Sequence, residues 1–353
     1  MSVTRTEGSA PSTITLRGPF TLESGDVLPS LTIAFHTWGK RSPAGDNAVV
    51  VCHALTGSSD AAQWWPALIG PGRALDPCED YIVCANVLGG CYGTTGPSSL
   101  ASDGRPWGAR FPRVTVRDIV RAQQRLLDAL GVTRVRLVIG GSLGGMQALE
   151  WALLDSGVER AAIIAAPAQH DAWAIAWSDA QRRVLAAVPH DDEFGHRAGL
   201  AAARAIAMIS YRHPDSFAKR FARTAGEDRD FAVQDWLGAH GDKLAARFDR
   251  HTYLGLLAAM DSHDVGRGRG GAERALRALD KPALVVSLKS DLLYPAESVE
   301  RIAEWLPQGE LARLESPHGH DAFLIEQGEV AALVQNFRRR HESPLRLAAG
   351  GGA

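Results

Sequence analysis

The sequence predicts an α/β fold: a mostly parallel sheet flanked by helices and interrupted by an inserted helical lid. Three observations carry this. Short, near-continuously apolar runs rich in β-branched residues recur along the chain, as expected of parallel strands covered on both faces. Helical patterns lie between these runs, and such alternation implies a sheet with right-handed crossovers. From about Gln169 to Asp264 no strand-like run occurs, and the sheet pattern resumes only at Ala283.

The strand-like runs are residues 31–35, 48–54, 81–87, 135–139, 161–165 and 283–288. The clearest helix is residues 115–130. Val116, Ile119, Val120, Gln123, Leu126, Leu127 and Leu130 follow helical spacing with one polar member, Gln123. Thr115 and Asp118 form a start signal, and Gly131 sits where a helix would stop. After Pro167 come helical segments at about 171–187, 200–211, 214–221, 231–248 and 252–260, with Trp173, Trp177 and Trp236 among them. The Arg- and Gly-rich stretch 266–271 reads as the return linker. The division expected is therefore a core of residues 1–168 and 266–353 around a lid of residues 169–265. The Gly/Ala-rich tail 345–353 has a composition that does not support packing.

The chain has 353 residues, of which 45% are hydrophobic, enough to bury a full core without disulfides or metal. Lys plus Arg number 38 against 40 Asp plus Glu, a net charge of −2. Without a basic excess, neither nucleic-acid binding nor charge-driven adhesion to a membrane is expected. Residues 1–13 contain no apolar run of the kind a signal peptide needs, and no stretch of about 18 apolar residues exists. Cys52, Cys78, Cys84 and Cys91 lack a C-x-x-C spacing, so they read as reduced thiols of a cytoplasmic protein rather than a zinc site.

Gly140-Gly141-Ser142-Leu143-Gly144 supplies the strongest chemical signal. An apolar strand precedes this G-x-S-x-G pattern and a helical run, residues 146–154, follows it. That is the setting of a nucleophile elbow, in which Ser142 sits on a strained strand-to-helix turn and flanking glycines relieve the crowding. The bland alternative is an ordinary strand-to-helix turn with Ser142 as a helix cap. A serine nucleophile needs a base, and the base an orienting acid, in the chain order Ser, acid, His for such an elbow. Asp291 is the one carboxylate at the end of the 283–288 strand, and could alternatively cap the next helix. His320 lies at a helix entry between the last strand and last helix and is preferred as base; His318 is the alternative. The two oxyanion donors would be the backbone N–H of Leu143, after the nucleophile, and of Leu55, in the loop after the 48–54 strand. His53 precedes the nucleophile and reads as structural. The loop from Asn86 to Pro97 has neither a dinucleotide nor a Walker pattern and reads as a wall of the site.

Together these pieces resemble the homoserine O-acyltransferase family of the α/β-hydrolase fold. The resemblance rests on His53 to Gly57, Trp64-Trp65 with Leu68 to Gly72, Asn86 to Ser99, Phe111-Pro112 with Thr115 to Asp118, Gly140 to Trp151, Ser262 to Gly266, Ser290 to Pro295, and Gly319-His320-Asp321. Gly141 to Trp151 is its most specific stretch, with Leu143 where the family more often has Met. The resemblance implies acyl transfer from acyl-CoA to the hydroxyl of L-homoserine, in methionine biosynthesis. It further implies a homodimer formed through the lid, no cofactor, and acetyl-CoA as co-substrate. Ser142 would be the nucleophile, Asp291 the orienter and His320 the base. Arg212 would hold the amino-acid carboxylate and Asp321 its ammonium group. A zwitterion needs an opposite charge at each end, which makes those roles sensible; Arg212 as a solvated charge and Asp321 as a helix cap are the bland alternatives. L-Serine as acceptor, succinyl-CoA as donor, and a carboxylester hydrolase with the same triad stay open. Arg267 and Arg269 could meet CoA phosphates or simply keep the linker polar. His190 to Glu193 with His196 lack an H-E-x-x-H arrangement, so no metal site is expected.

Overall fold

A computed structural model describes residues 10–189 and 193–341. The tail 345–353, residues 1–9 and residues 190–192 of the His/Asp cluster lie outside the described residues. Eight strands form one sheet: β1 (Ser12–Thr21), β2 (Val27–Trp38), β3 (Ala48–Cys52), β4 (Tyr81–Ala85), β5 (Val135–Gly141), β6 (Ala161–Ile164), β7 (Ala283–Leu288) and β8 (Gly309–Leu314). Their order is β1-β2-β4-β3-β5-β6-β7-β8. The β1/β2 and β2/β4 pairs are antiparallel and the rest parallel. The helices are α1 (Ala61–Trp64), α2 (Val116–Ala129), α3 (Leu143–Leu154), α4 (Ala172–Ala187), α5 (Glu193–Ser210), α6 (Pro214–Arg220), α7 (Ala232–Ala245), α8 (Arg250–Asp261), α9 (Ala272–Arg277), α10 (Ala296–Trp305), α11 (Ala322–Ile325) and α12 (Gln327–Arg340). No described helix is long and apolar enough to cross a membrane.

The parallel strands β3, β6 and β7 are buried throughout because helices cover both faces, whereas β8, parallel but at the sheet's edge, is mostly half-buried. β1 has a different cause and was not expected from the sequence. It is an edge strand whose Ile14 and Leu16 are only half buried between polar neighbours, so it lacks a continuous apolar run. β3 and β4 end at Cys52 and Ala85, two residues earlier than the apolar runs suggest. His53 and Asn86 therefore open loops rather than close strands.

α2 begins with the expected capping box: Thr115 Oγ1 accepts from the Asp118 N–H, and Asp118 accepts from the Thr115 N–H at 3.0 Å. Gly131, at φ +70°, follows its end. α3 packs against the central strands β3, β5 and β6 with nearly all its residues buried, hence its mostly apolar or small composition, broken by Gln147 and Glu150.

α4 to α8 all lie between β6 and β7. The two legs of this block meet in an antiparallel bridge between Gln169 and Asp264. The His170 N–H donates to His263 O at 2.9 Å and the Val265 N–H to Ala168 O at 3.0 Å. His263 is buried and its Nε2 donates to Pro167 O at 3.1 Å; burial lowers its pKa to about 3, so it stays neutral. The return stretch is pinned to the core by ions. Arg269 pairs at 2.8 Å with Glu150, which is 1% exposed and also pairs with Arg117 at 3.0 Å. Arg267 pairs with Glu23 at 2.7 Å. α5 starts seven residues before the segment read from sequence, because its first turns are polar and contain a glycine.

Candidate active site

The ends of β5, β7 and β8 deliver three side chains to one edge of the sheet, where parallel α/β sheets place their ligands. β5 stops at Gly141 and α3 starts at Leu143, so a single residue turns the chain. That residue, Ser142, has φ 58° and ψ −125°. A non-glycine residue there is strained by roughly 1–3 kcal/mol, held in place by surrounding packing. The packing leaves no room beside it. A Cβ on Gly140 would lie 2.3 Å from the Gly144 backbone, and one on Gly144 would lie 2.1 Å from Cys52 O. The two glycines of the motif thus exist for close approach between β5, α3 and the end of β3.

His320 Nδ1 donates to Asp291 Oδ2 at 2.6 Å, which leaves Nε2 as acceptor for the Ser142 hydroxyl at 2.8 Å. All three residues are at least 94% buried. The other Asp291 oxygen accepts from the N–H groups of Leu293 (2.8 Å) and Tyr294 (2.9 Å). Asp291 caps no helix: α10 begins later, after Pro295. His320 is boxed by rings, with Tyr294 at 5.1 Å, Tyr211 at 5.6 Å and Phe323 at 5.8 Å. Burial disfavours its charged form, but the charge and hydrogen bond of Asp291 and the charge of Asp321 outweigh this. Its pKa is held above the usual imidazole value. His318 faces elsewhere, with Nδ1 3.3 Å from Ser216 Oγ.

Leu143 opens α3, so its N–H has no acceptor one turn back and faces the turn at Ser142. Leu55 lies in the loop after β3. What fixes these two segments against each other is Gln147, a residue without an assigned role at the level of sequence. Its Nε2 donates to both His53 O and Leu143 O at 3.1 Å. Its Oε1 accepts from Gln123 at 2.8 Å, and Gln123 accepts from Trp151 Nε1 at 2.7 Å. The polar Gln123 on the apolar face of α2 was the one visible sign of this network. His53 is structural: Nδ1 donates to Ala54 O at 2.8 Å and Nε2 accepts from the Val87 N–H at 3.2 Å. Burial lowers its pKa to about 4, so both bonds persist at neutral pH. Asn86 ties the next loop, accepting from the Ser59 N–H and donating to Tyr92 O, each at 2.7 Å.

The inserted helices reach this edge through Tyr211, Arg212 and His213. Gly319, at φ +66°, has no room for a Cβ: Tyr211 O and His213 N would each lie 2.8 Å away. At this contact Arg212 Nε lies 3.0 Å from Asp321 Oδ2, with both side chains mostly buried. The Arg212 guanidinium also lies over the Trp236 ring, 5.7 Å from its centre. Asp321 makes no side-chain cap to α11. Arg267 and Arg269 are spent on Glu23 and Glu150, away from this edge. Among the described residues no group of His, Cys, Asp and Glu is arranged to hold a metal ion.

Such an arrangement can attack a carbonyl, hold the acyl group on Ser142, and shuttle a proton through His320. Residues 47–327 match the family model for the α/β-hydrolase fold. A homoserine O-acetyltransferase of Trichormus variabilis is 48% identical over 330 residues, covering 91% of this chain and 92% of its own. Among solved structures, the homoserine O-acetyltransferase of Staphylococcus aureus superposes with a TM-score of 0.77 at 30% identity, covering 96% of this chain and 99% of its own. Esterase E22 superposes with a TM-score of 0.85 at 24% identity, covering 94% of this chain and all of its own, a likeness of fold.

Proposed function

The chain belongs to the homoserine O-acetyltransferase family of the α/β-hydrolase fold, and from that premise we propose that Ser142 carries an acetyl group from acetyl-CoA to the hydroxyl of L-homoserine. In the first half-reaction Ser142 Oγ attacks the thioester carbonyl while His320 Nε2 takes the hydroxyl proton. The Leu55 and Leu143 N–H groups receive the oxyanion. The C–S bond breaks, and His320 returns the proton to the departing thiolate. In the second, His320 takes the proton of the homoserine hydroxyl. The new C–O ester bond forms, the bond to Oγ breaks, and the proton goes back to Ser142. Asp291 holds the ring tautomer and stabilises the imidazolium in both halves.

Arg212 and Asp321 make this a transferase site. An amino acid exchanges their one pair for two, carboxylate to Arg212 and ammonium to Asp321, which brings its hydroxyl to His320. The observation that carries the reading is that an opposite-charge pair lies one residue from the base, in a site already holding Asp291–His320–Ser142. The reading extends to a cytoplasmic step of methionine biosynthesis and a homodimer through the inserted helices, where Trp173 (50% exposed) and Phe194 (82% exposed) offer apolar surface.

The test is a small matrix: acetyl-CoA and succinyl-CoA, each against L-homoserine, L-serine and water, followed by thiol release and product mass. The expected result is fast release only with acetyl-CoA and L-homoserine together. Thiol release at the same rate without an amino acid would make the protein a hydrolase.

A further inference from the structure

A second feature borders the loop of Leu55 and the helix after His320. A cavity of about 940 Å³ runs between the inserted helices and the loops after β3 and β4. That is at the large end of small-molecule sites and far beyond what an amino acid fills. Its lining includes Ala54 and Gly57, on either side of Leu55, and Leu324, next to the Phe323 that packs on His320. Its lid side presents Arg204 from α5, Lys243 from α7 and Arg247 just after α7, against one lining carboxylate, Asp60.

None of these cations is neutralised by a carboxylate of the protein among the described residues. Arg204 Nη1 is buried without a hydrogen-bond partner, an expensive state for a guanidinium. Its guanidinium lies 5.4 Å from the centre of the Tyr211 ring, and that ring packs on His320. Arg247 donates to Thr56 O at 2.9 Å and to the Tyr92 hydroxyl, both neutral acceptors. Neither Arg204, Lys243 nor Arg247 forms an ion pair among the described residues. His240, on α7 among them, is pushed down to about 4 by burial and by the charges of Arg204, Arg212, Lys243 and Arg220. So much uncompensated positive charge around one cavity is a receptor for a ligand with several negative charges.

We propose that Arg204, Lys243 and Arg247 bind the phosphate groups of the acyl-CoA donor, with its thioester arm running inward past Ala54 to Ser142. The assignment rests on the transferase reading above. It also separates the two substrates by charge: Arg212 and Asp321 serve the zwitterion, the three outer cations the polyphosphate. Arg267 and Arg269, the cations the linker sequence suggested for this task, are already paired elsewhere.

Titration calorimetry of the whole protein with CoA, and with pantetheine as a phosphate-free probe, tests this. The expected result is CoA binding that weakens steeply with added salt and falls about tenfold or more in each of Arg204→Gln and Lys243→Gln. Pantetheine binding should be weak, insensitive to salt, and alike in all three proteins. Acylation of Ser142 by p-nitrophenyl acetate, which carries no phosphate, reports that the variants are folded, and its loss should be far smaller than the loss on acetyl-CoA. CoA bound equally by wild type and both variants would overturn the proposal, as would parallel losses on CoA and pantetheine. A wild type that binds CoA in this manner yet makes no acetylhomoserine would sink the transferase reading and leave the phosphate site standing.

Discussion

At the strand ends each polar atom is engaged: Asp291 uses both oxygens, His320 both nitrogens, and Ser142 its hydroxyl. Across the cleft, the inserted helices hold Arg204 with a buried unpartnered nitrogen, Lys243 without an ion pair, and Arg212 on a single carboxylate. The core builds its chemistry from backbone geometry and needs no substrate to assemble it. The inserted helices instead contribute charge whose partners, in the function proposed above, are substrate groups. Preorganised donors act on the transition state, whereas such surplus charges act on binding. Substitutions on the two sides should therefore show different kinetic signatures.

The largest effect is expected at the core. Asp291→Asn should lower kcat on the order of 10³–10⁴-fold by disfavouring the working tautomer. It should also move the pH profile. His320 acts as base when neutral, so activity rises with pH through its pKa. Burial alone would place that limb below about 6.5, while Asp291 and Asp321 hold it above. Asp291→Asn should shift the limb down, and Asp321→Asn should do so by less, measured with an ester that carries no ammonium group. The linked stability has the opposite sense. A raised folded-state pKa contributes stability below the unfolded value that is lost as pH rises through the folded one. A limb unmoved by either change would break the assignment of His320 as base.

Arg212→Ala, on the lid side, should raise KM for L-homoserine on the order of 10–100-fold, as for loss of a charge-assisted bond. The acetyl-CoA half-reaction should change little, read by thiol release in the first turnover. Equal loss in both half-reactions would place Arg212 in the general architecture rather than at the amino acid.

Gln147→Leu should have the smallest effect and blur the contrast. It leaves His53 O and the Gln123 amide N–H without the bonds Gln147 supplies and Leu143 O with only its helix bond, costing about 1–3 kcal/mol of stability. Because these carbonyls flank the proposed oxyanion donors, kcat should fall on the order of tenfold with KM unchanged. A lowered Tm with unaltered kcat would reduce Gln147 to a purely structural tie.

What the sequence made legible follows the same division. Ser142 and Asp291 each follow the end of an apolar strand, so periodicity located them, while His320 follows the half-exposed β8 and was located by chain order and the helix entry after it. The buried parallel strands were visible because β-branched runs have no other use. β1 was not, since an edge strand needs only alternate half-buried positions. Gln147, Glu150 and Trp151 read as part of a family pattern, but their work depends on partners distant in sequence: Gln123, Arg117 and Arg269. The cavity cations come from three places around α5 and α7 and face inward only once those helices pack together. No local spacing marks them.

The most direct measurement is mass spectrometry of the protein after brief mixing with acetyl-CoA and no amino acid. The account predicts one acetyl group on the peptide containing Ser142, absent in Ser142→Ala and transferred to L-homoserine when that is added. No acetylated intermediate in the wild type, together with normal acetylhomoserine formation, would contradict it.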